Sequence, residues 1–186
     1  MRILITGHNG FVGSYVMAEL EKRYDAMDLF PFSFREGKFS AIYKNVDVVI
    51  HLAAAKNGTE EEMLEANAFK VKSLLDACKY VEHFIYISTE FIEAFDSAYT
   101  RSKRIGEIYT QDSGLNCTIL RMPHLYSKND GFMNSKPFTS FYKLMKNVKG
   151  VRFRSKPEDV RVAAKKIVQL TGNKKYYNRL VYFDDI

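Results

Sequence analysis

Ile3-Leu4-Ile5-Thr6-Gly7-His8-Asn9-Gly10-Phe11-Val12-Gly13 decides the reading of this chain. Met1 to Thr6 is a short apolar run of strand-forming residues. Ser14 to Arg23 has the periodicity of a helix. A buried strand that breaks into glycines and restarts as a helix is the turn that holds dinucleotide phosphates. Gly7 permits the tight turn, Gly10 lets backbone approach a pyrophosphate, and Gly13 lets helix and strand pack closely. The free N–H groups and dipole of the helix start face the negative charge. The spacing is G-x-x-G-x-x-G rather than the commoner G-x-G-x-x-G. Glycines in a loop also serve turns alone; the strand before and the helix after favour the phosphate reading.

The rest of the chain extends that pattern. Tyr24 to Leu29 reads as a second strand, which would put Asp28 at its carboxyl end. An acid there accepts hydrogen bonds from the adenosine ribose, which favours NAD; Arg35 nearby keeps NADP open. Pro31 to Ser40 reads as loop and Phe39 to Asn45 as a short helix. Asp47 to Leu52 is an apolar third strand, of the kind covered on both faces. It runs into Ala53-Ala54-Ala55, small residues that leave room for a ligand or simply pack tightly. Thr59 to Tyr80 reads as a helix, opened by a capping box of Thr59 with Glu62. Asn67 interrupts its apolar stripe, facing solvent or holding a neighbouring loop. Phe84 to Ile87 is a fourth strand ending at Ser88-Thr89. After a connection over 90–98, a helix opens at Tyr99. Asn116 to Arg121 is a fifth strand. Strand alternating with helix predicts an α/β fold, a Rossmann-like doubly wound parallel sheet with helices on both faces.

Residues 127–186 are less regular. Lys128 to Lys136 reads as a polar loop, Pro137 to Lys146 as a helix and Val151 to Phe153 as a short strand. Pro157 suits the first position of a helix running to about Thr171, stopped by Gly172-Asn173. Tyr177 to Phe183 closes as a strand. The length of 186 residues fits one domain, with a cofactor-binding core at 1–126 and a reduced, basic C-terminal region at 127–186. From His124 onward there are 14 Lys/Arg against 5 Asp/Glu, which suits a diphosphate-bearing substrate or a solvated helix face. No nucleic-acid motif accompanies those cations, and no apolar run is long enough for a membrane span. Cys78 and Cys117 read as reduced core thiols, and the expected location is cytoplasmic. No metal-ligating spacing is present.

Hydride exchange with an alcohol or ketone needs a proton donor beside the reacting oxygen. Tyr99 and Lys103 lie four apart on one helical face. A lysine ammonium favours the phenolate of a neighbouring tyrosine and also reaches a nicotinamide ribose. Thr89, at the end of the fourth strand, supplies a hydroxyl to orient the substrate oxygen. A Tyr-x-x-x-Lys pair also arises by chance in a chain with 12 tyrosines; the order of the motifs weighs against chance.

With these segments in that order, the sequence resembles the extended short-chain dehydrogenase/reductase family, the NAD-dependent epimerase/dehydratase group acting on nucleotide sugars. Within that group it looks like the dTDP-4-dehydrorhamnose reductase branch. The segments that carry the resemblance are Ile5–Gly13, His51-Leu52-Ala53-Ala54, Glu65-Ala66-Asn67, Tyr86–Phe91, Tyr99–Glu107 and Arg121–Tyr126. The resemblance implies Tyr99 as general acid/base, Lys103 as its partner and Thr89 as the substrate-binding hydroxyl. It implies a cofactor site of Gly7, Asn9, Gly10, Phe11, Val12, Gly13, Asp28, Leu52, Ala53, Ala54 and Lys103, with His51 also lining the cleft. Asn67 is implied as a structural helper. It further implies a nucleotide-sugar substrate and a homodimer formed through the helices at 59–80 and 99–113. The connection from Thr89 to Tyr99 and the region after Arg121 are short for the family. That leaves a second reading: a non-catalytic NAD(P)-binding sensor or partner subunit without a working substrate domain.

Overall fold

A computed structural model describes residues 1–35, 45–127 and 154–186. Six parallel strands form the main sheet: β1 (Ile3–Thr6), β2 (Leu29–Phe32), β3 (Val48–His51), β4 (His83–Thr89), β5 (Cys117–Met122) and β8 (Arg179–Tyr182). Their order across the sheet is β2-β1-β3-β4-β5-β8. The chain leaves β1 for one side and returns through β3 on the other. Such a reversal opens a crevice at the carboxyl ends of the two strands. A short parallel pair, β6 (Leu125–Tyr126) with β7 (Glu158–Asp159), stands beside the main sheet.

Side chains alternate across each strand, so each strand feeds two cores. Ile3, Ile5, Val48 and Ile50 point to one face, where α1 (Phe11–Leu20) and α6 (Val160–Gln169) lie. Leu4, Val49, Phe84 and Tyr86 point to the other. That face is covered by α2 (Glu60–Leu64), α3 (Lys70–Ala77) and α5 (Ala98–Gln111), with the short α4 (Phe91–Ala94) leading into α5. This is the doubly wound arrangement the alternation predicts. Cys78 and Cys117 are buried and free, as their apolar settings imply.

The structure corrects the sequence at several places. Tyr24–Leu29 is not a strand: Ala26–Asp28 is a turn of 3-10 helix and the strand begins at Leu29. Asp28 therefore sits at the amino end of β2, where its carboxylate meets the Met1 ammonium at 3.4 Å. It lies at the opposite end of the sheet from the glycine turn and does not reach a cofactor there. Pro157 does not open the last helix. Asp159 caps it, accepting the Arg161 N–H at 2.9 Å. The helix from Thr59 is broken into α2 and α3 by a π turn over Glu65–Phe69. The expectations at 39–44, 128–136, 137–146 and 151–153 fall outside the described residues.

Candidate functional site

The glycine turn is built as its spacing requires. Gly7 has φ +72°, a left-handed conformation costly for any other residue. A Cβ there would stand 2.6 Å from the Ala53 N. Gly10 donates its N–H to the Gly7 carbonyl at 2.9 Å and starts α1 in extended geometry. A Cβ on Gly13 would collide with that same carbonyl. The glycines thus fold one turn against itself: a Cβ on Gly7 or Gly13 would strike backbone, and only one on Gly10 would point to open space. Asn9, Gly10 and Phe11 are exposed on the outer rim, while Val12 packs into the core. Ala53 sits behind the turn and donates to Thr6 Oγ1 at 3.4 Å; Leu52 is half-buried and Ala54 is exposed. His51 is completely buried beneath this floor, held by Thr6 Oγ1 at 2.8 Å. It supports the cleft rather than lining it.

Asn67 explains the π turn. The extra residue swings its side chain inward, where it is fully buried. Its Oδ1 accepts the Ala55 N–H at 2.7 Å, and its Nδ2 donates to the Ala55 carbonyl at 2.8 Å. Nδ2 also donates to Ser102 Oγ at 3.0 Å. One amide therefore ties the loop after β3 to the residue before Lys103. Gly106 lets α5 come this close, since a Cβ there would strike the Tyr86 hydroxyl and the Asn67 carbonyl. Ser102 escaped the sequence reading, because only the fold brings it to Asn67.

Lys103 is 2% exposed. Its ammonium donates to the Ile87 carbonyl at 2.7 Å and lies 4.0 Å from the centre of the Tyr86 ring. Burial pulls its pKa down to about 7, partly countered by Glu107 and reinforced by Lys56. Tyr99 lies one helical turn earlier, and burial pushes its phenol up to about 12. Burial shifts Tyr99 in the direction opposite to the lowered phenol that the sequence suggests. Burial favours the neutral form of each group, the phenol of Tyr99 and the amine of Lys103. α5 begins at Ser97, whose hydroxyl accepts the Thr100 N–H at 3.2 Å; this cap fixes the first turn that carries Tyr99. Thr89 ends β4, two residues past the carbonyl that Lys103 binds, and its oxygen accepts the Phe91 N–H at 3.2 Å.

Further groups gather at this end of the sheet. Lys56, exposed in the loop that Asn67 holds, depresses both Lys103 and His124 through its charge. His124 stacks on Phe91 at 6.3 Å and is pulled down to about 4, first by burial. Glu90 is buried, and its carboxylate accepts the Ser155 N–H at 3.0 Å. It fastens residues 154–155 to the end of β4. Two cavities of about 360 and 370 Å³ lie elsewhere, around Leu115 at the amino end of β5. They are remote from Tyr99 and Lys103 and take no part in this site.

A family model for the NAD dependent epimerase/dehydratase family matches residues 3–161. The chain belongs to that family. A UDP-2-acetamido-2,6-beta-L-arabino-hexul-4-ose reductase from Pseudomonas aeruginosa is 31% identical over 137 residues, 69% of this chain and 37% of that protein. A mitochondrial NADH dehydrogenase [ubiquinone] 1 alpha subcomplex subunit 9 from Dictyostelium discoideum is 32% identical over 90 residues, 47% of this chain and 25% of that one. The chain thus spans between a quarter and two fifths of these relatives. Among solved structures, the UDP-glucuronic acid 4-epimerase of Bacillus cereus with NAD superposes with a TM-score of 0.75 at 18% identity, over 98% of this chain and 76% of that one. A dTDP-4-dehydrorhamnose reductase from Clostridium acetobutylicum gives 0.72 at 21%, over 98% and 73%. They share the Rossmann-like fold. The family is NAD(P)-dependent, and the glycine turn of this chain has the open cradle such a cofactor needs.

Proposed function

We propose that this chain is the cofactor-binding and proton-donating part of an NAD(P)-dependent reductase or epimerase acting on a nucleotide-linked sugar. The observation that carries the reading is Tyr99 and Lys103 one turn apart on α5, with Lys103 bonded to β4 two residues before Thr89. Gly7, Gly10 and Gly13 hold the diphosphate of the cofactor, and Ala53 and Ala54 border its path toward α5. When bound, the cofactor supplies or accepts a hydride at the sugar carbon. Thr89 orients the sugar oxygen. Tyr99, protonated at physiological pH, gives its proton to that oxygen as the carbonyl becomes an alcohol. Lys103 would hold the nicotinamide ribose beside Tyr99. Substrate contacts from the basic 127–186 region serve the diphosphate of the sugar nucleotide. Pairing through α2–α3 and α5 covers Phe69 and Ile108, apolar side chains 48% and 46% exposed on those helices.

The test is hydride transfer to a panel of nucleotide-linked 4-keto sugars, followed by cofactor absorbance. Tyr99→Phe is expected to lower turnover by roughly a hundredfold to ten-thousandfold while dinucleotide binding persists. Unchanged turnover in that variant removes Tyr99 from the proton role. A second reading is a dinucleotide-binding partner subunit without turnover. It is favoured by the likeness to the Dictyostelium NADH dehydrogenase subunit. Reduction of any keto-sugar nucleotide by the wild-type chain eliminates it.

A further inference from the structure

The carboxyl end of β2 is the place for a ribose-binding acid, and this chain puts a hydroxyl and a guanidinium there. Phe32, the last residue of β2, is level with Thr6, the residue before Gly7. Ser33, Phe34 and Arg35 therefore lie beside the glycine turn. Ser33 Oγ accepts the N–H of Arg35 at 3.3 Å and bends the backbone into a turn. Phe34, between them, anchors that turn: its ring meets Phe32 edge-on at 5.3 Å and His51 at 6.0 Å. Arg35 is exposed and makes no ion pair or side-chain hydrogen bond among the described residues. A second cation flanks the turn, with Lys70 Nζ 5.9 Å from the Phe34 ring centre and no carboxylate bound to it among those residues. Asp28 is engaged by the chain's amino group at the other end of the strand.

A dinucleotide whose diphosphate rests on Gly10–Gly13 lays its adenosine ribose across the end of β2. A 2′-hydroxyl at that place is held by a carboxylate that accepts its hydrogen bond. A 2′-phosphate monoester is held by hydroxyl donors and by a guanidinium, whose planar fork matches phosphate oxygens. We propose that Ser33 and Arg35, with Lys70 behind them, form a 2′-phosphate site, and that this chain selects NADP(H) over NAD(H). The proposal rests on the reading of the glycine turn as the cofactor site. It replaces the preference for NAD that Asp28 had suggested.

The test is calorimetric titration of the whole chain with NADP+ and with NAD+, and displacement of NADP+ by 2′-AMP or 5′-AMP. NADP+ is expected to bind roughly ten to a hundred times more tightly, the worth of charge-assisted bonds to one phosphate. 2′-AMP is expected to be the better competitor. Arg35→Ala removes most of the gap and leaves NAD+ affinity unchanged, while Arg35→Lys keeps part of it. Because Arg35 is exposed and its side chain makes no hydrogen bond or ion pair among the described residues, the thermal melt of the variant is expected at the wild-type value, so a loss of affinity is not a loss of fold. Raising ionic strength from about 50 to about 500 mM narrows the gap. Equal affinities, tighter NAD+ binding, or a gap that survives Arg35→Ala overturns the proposal. If neither dinucleotide binds, the cofactor reading of the glycine turn falls, and this proposal with it. Selective NADP+ binding without sugar reduction upholds the 2′-phosphate site and removes the enzyme reading alone.

Discussion

Glu107 receives both prongs of the Arg121 guanidinium, at 2.9 and 2.7 Å. The glutamate side chain is 5% exposed and the arginine 13%, so the pair is shielded from water. The remaining nitrogen reaches Glu93 at 2.6 Å and the Tyr182 hydroxyl at 3.0 Å. One guanidinium thus joins β5, α4, α5 and β8. Arg121→Ala strands a buried carboxylate, and the expected loss is about 3 to 5 kcal/mol in a denaturant melt. Removing Glu107 as well, in an Arg121→Met/Glu107→Leu pair, is expected to restore much of it. A double variant as unstable as the single would mean that the lost stability is not that of an orphaned charge.

Lys103 gives a pH signature. Its folded pKa, about 7, lies below the unfolded value near 10.5, because burial opposes its charge. Below about pH 7 the lysine is protonated in both states and the full cost of burying its charge is present. Between about pH 7 and 10 the unfolded chain binds more protons, so this group makes the fold more stable as pH rises. Cys78 and Cys117, raised to about 12 and about 11 by burial, act in the opposite sense at alkaline pH. The measurement is therefore a difference: wild type should gain several kcal/mol on Lys103→Met between pH 6.5 and 10, by denaturant melts at each pH. A constant difference would show that Lys103 keeps an ordinary pKa.

Asn67 serves three partners with one amide, and its variants separate them. Asn67→Ala leaves the Ala55 N–H and carbonyl without their partner at a half-buried place. The expected cost is about 2 to 4 kcal/mol, with faster amide exchange at Ala55. Asn67→Asp keeps the acceptor for Ala55 N–H but loses both donors, to the Ala55 carbonyl and to Ser102. It is expected to protect the Ala55 amide more than alanine does. Protection equal to the alanine variant would mean that the Oδ1 bond does not hold the loop.

The glycines of the first turn are not equivalent. A methyl group on Gly13 meets the Gly7 carbonyl head-on, whereas one on Gly10 stands 3.1 Å from it and otherwise in open space. Gly13→Ala should therefore lose about 1 to 3 kcal/mol of stability along with dinucleotide binding. Gly10→Ala should keep wild-type stability and lose binding, since its methyl group occupies the side a phosphate approaches. Calorimetric titration and thermal melts of both variants make the comparison. Wild-type affinity in Gly10→Ala would place the phosphates elsewhere.

The legible parts of the sequence were those where burial acts on both sides. β1, β3, β4 and β5 are covered by helices on two faces, so their central residues are mostly apolar, with polar residues such as Thr6, His51 and Thr89 at their carboxyl ends. β2 misled for a physical reason. It is the edge strand of the described sheet, half-exposed, and contains Pro31, which a central strand would not tolerate. Reading it as loop displaced the strand upstream and moved Asp28 to the wrong end. At the proposed site, Gly7 to Gly13, Thr89, Tyr99 and Lys103 can be picked out from sequence because the glycine spacing, the strand end and the Tyr-x-x-x-Lys pair occur in a fixed order. Ser102, Glu107 and Lys56 had no such signal; the fold alone brings them into contact or electrostatic range. The direction of the Tyr99 and Lys103 shifts was also hidden, since burial outweighs the attraction between neighbours on a helix.

The π turn at Glu65–Phe69 gives the site a dependence on residue count. A π turn holds one residue more than the α turn it replaces, and that residue rotates everything beyond it by about 100° around the helix axis. Deleting one residue there would leave every remaining side chain chemically intact. It would nevertheless turn either Asn67 away from Ala55, or Val71, Leu74 and Leu75 away from the sheet. Both faces are satisfied together only with the inserted residue. The grip on the loop after β3 can thus be lost by deleting one residue as well as by replacing Asn67 itself.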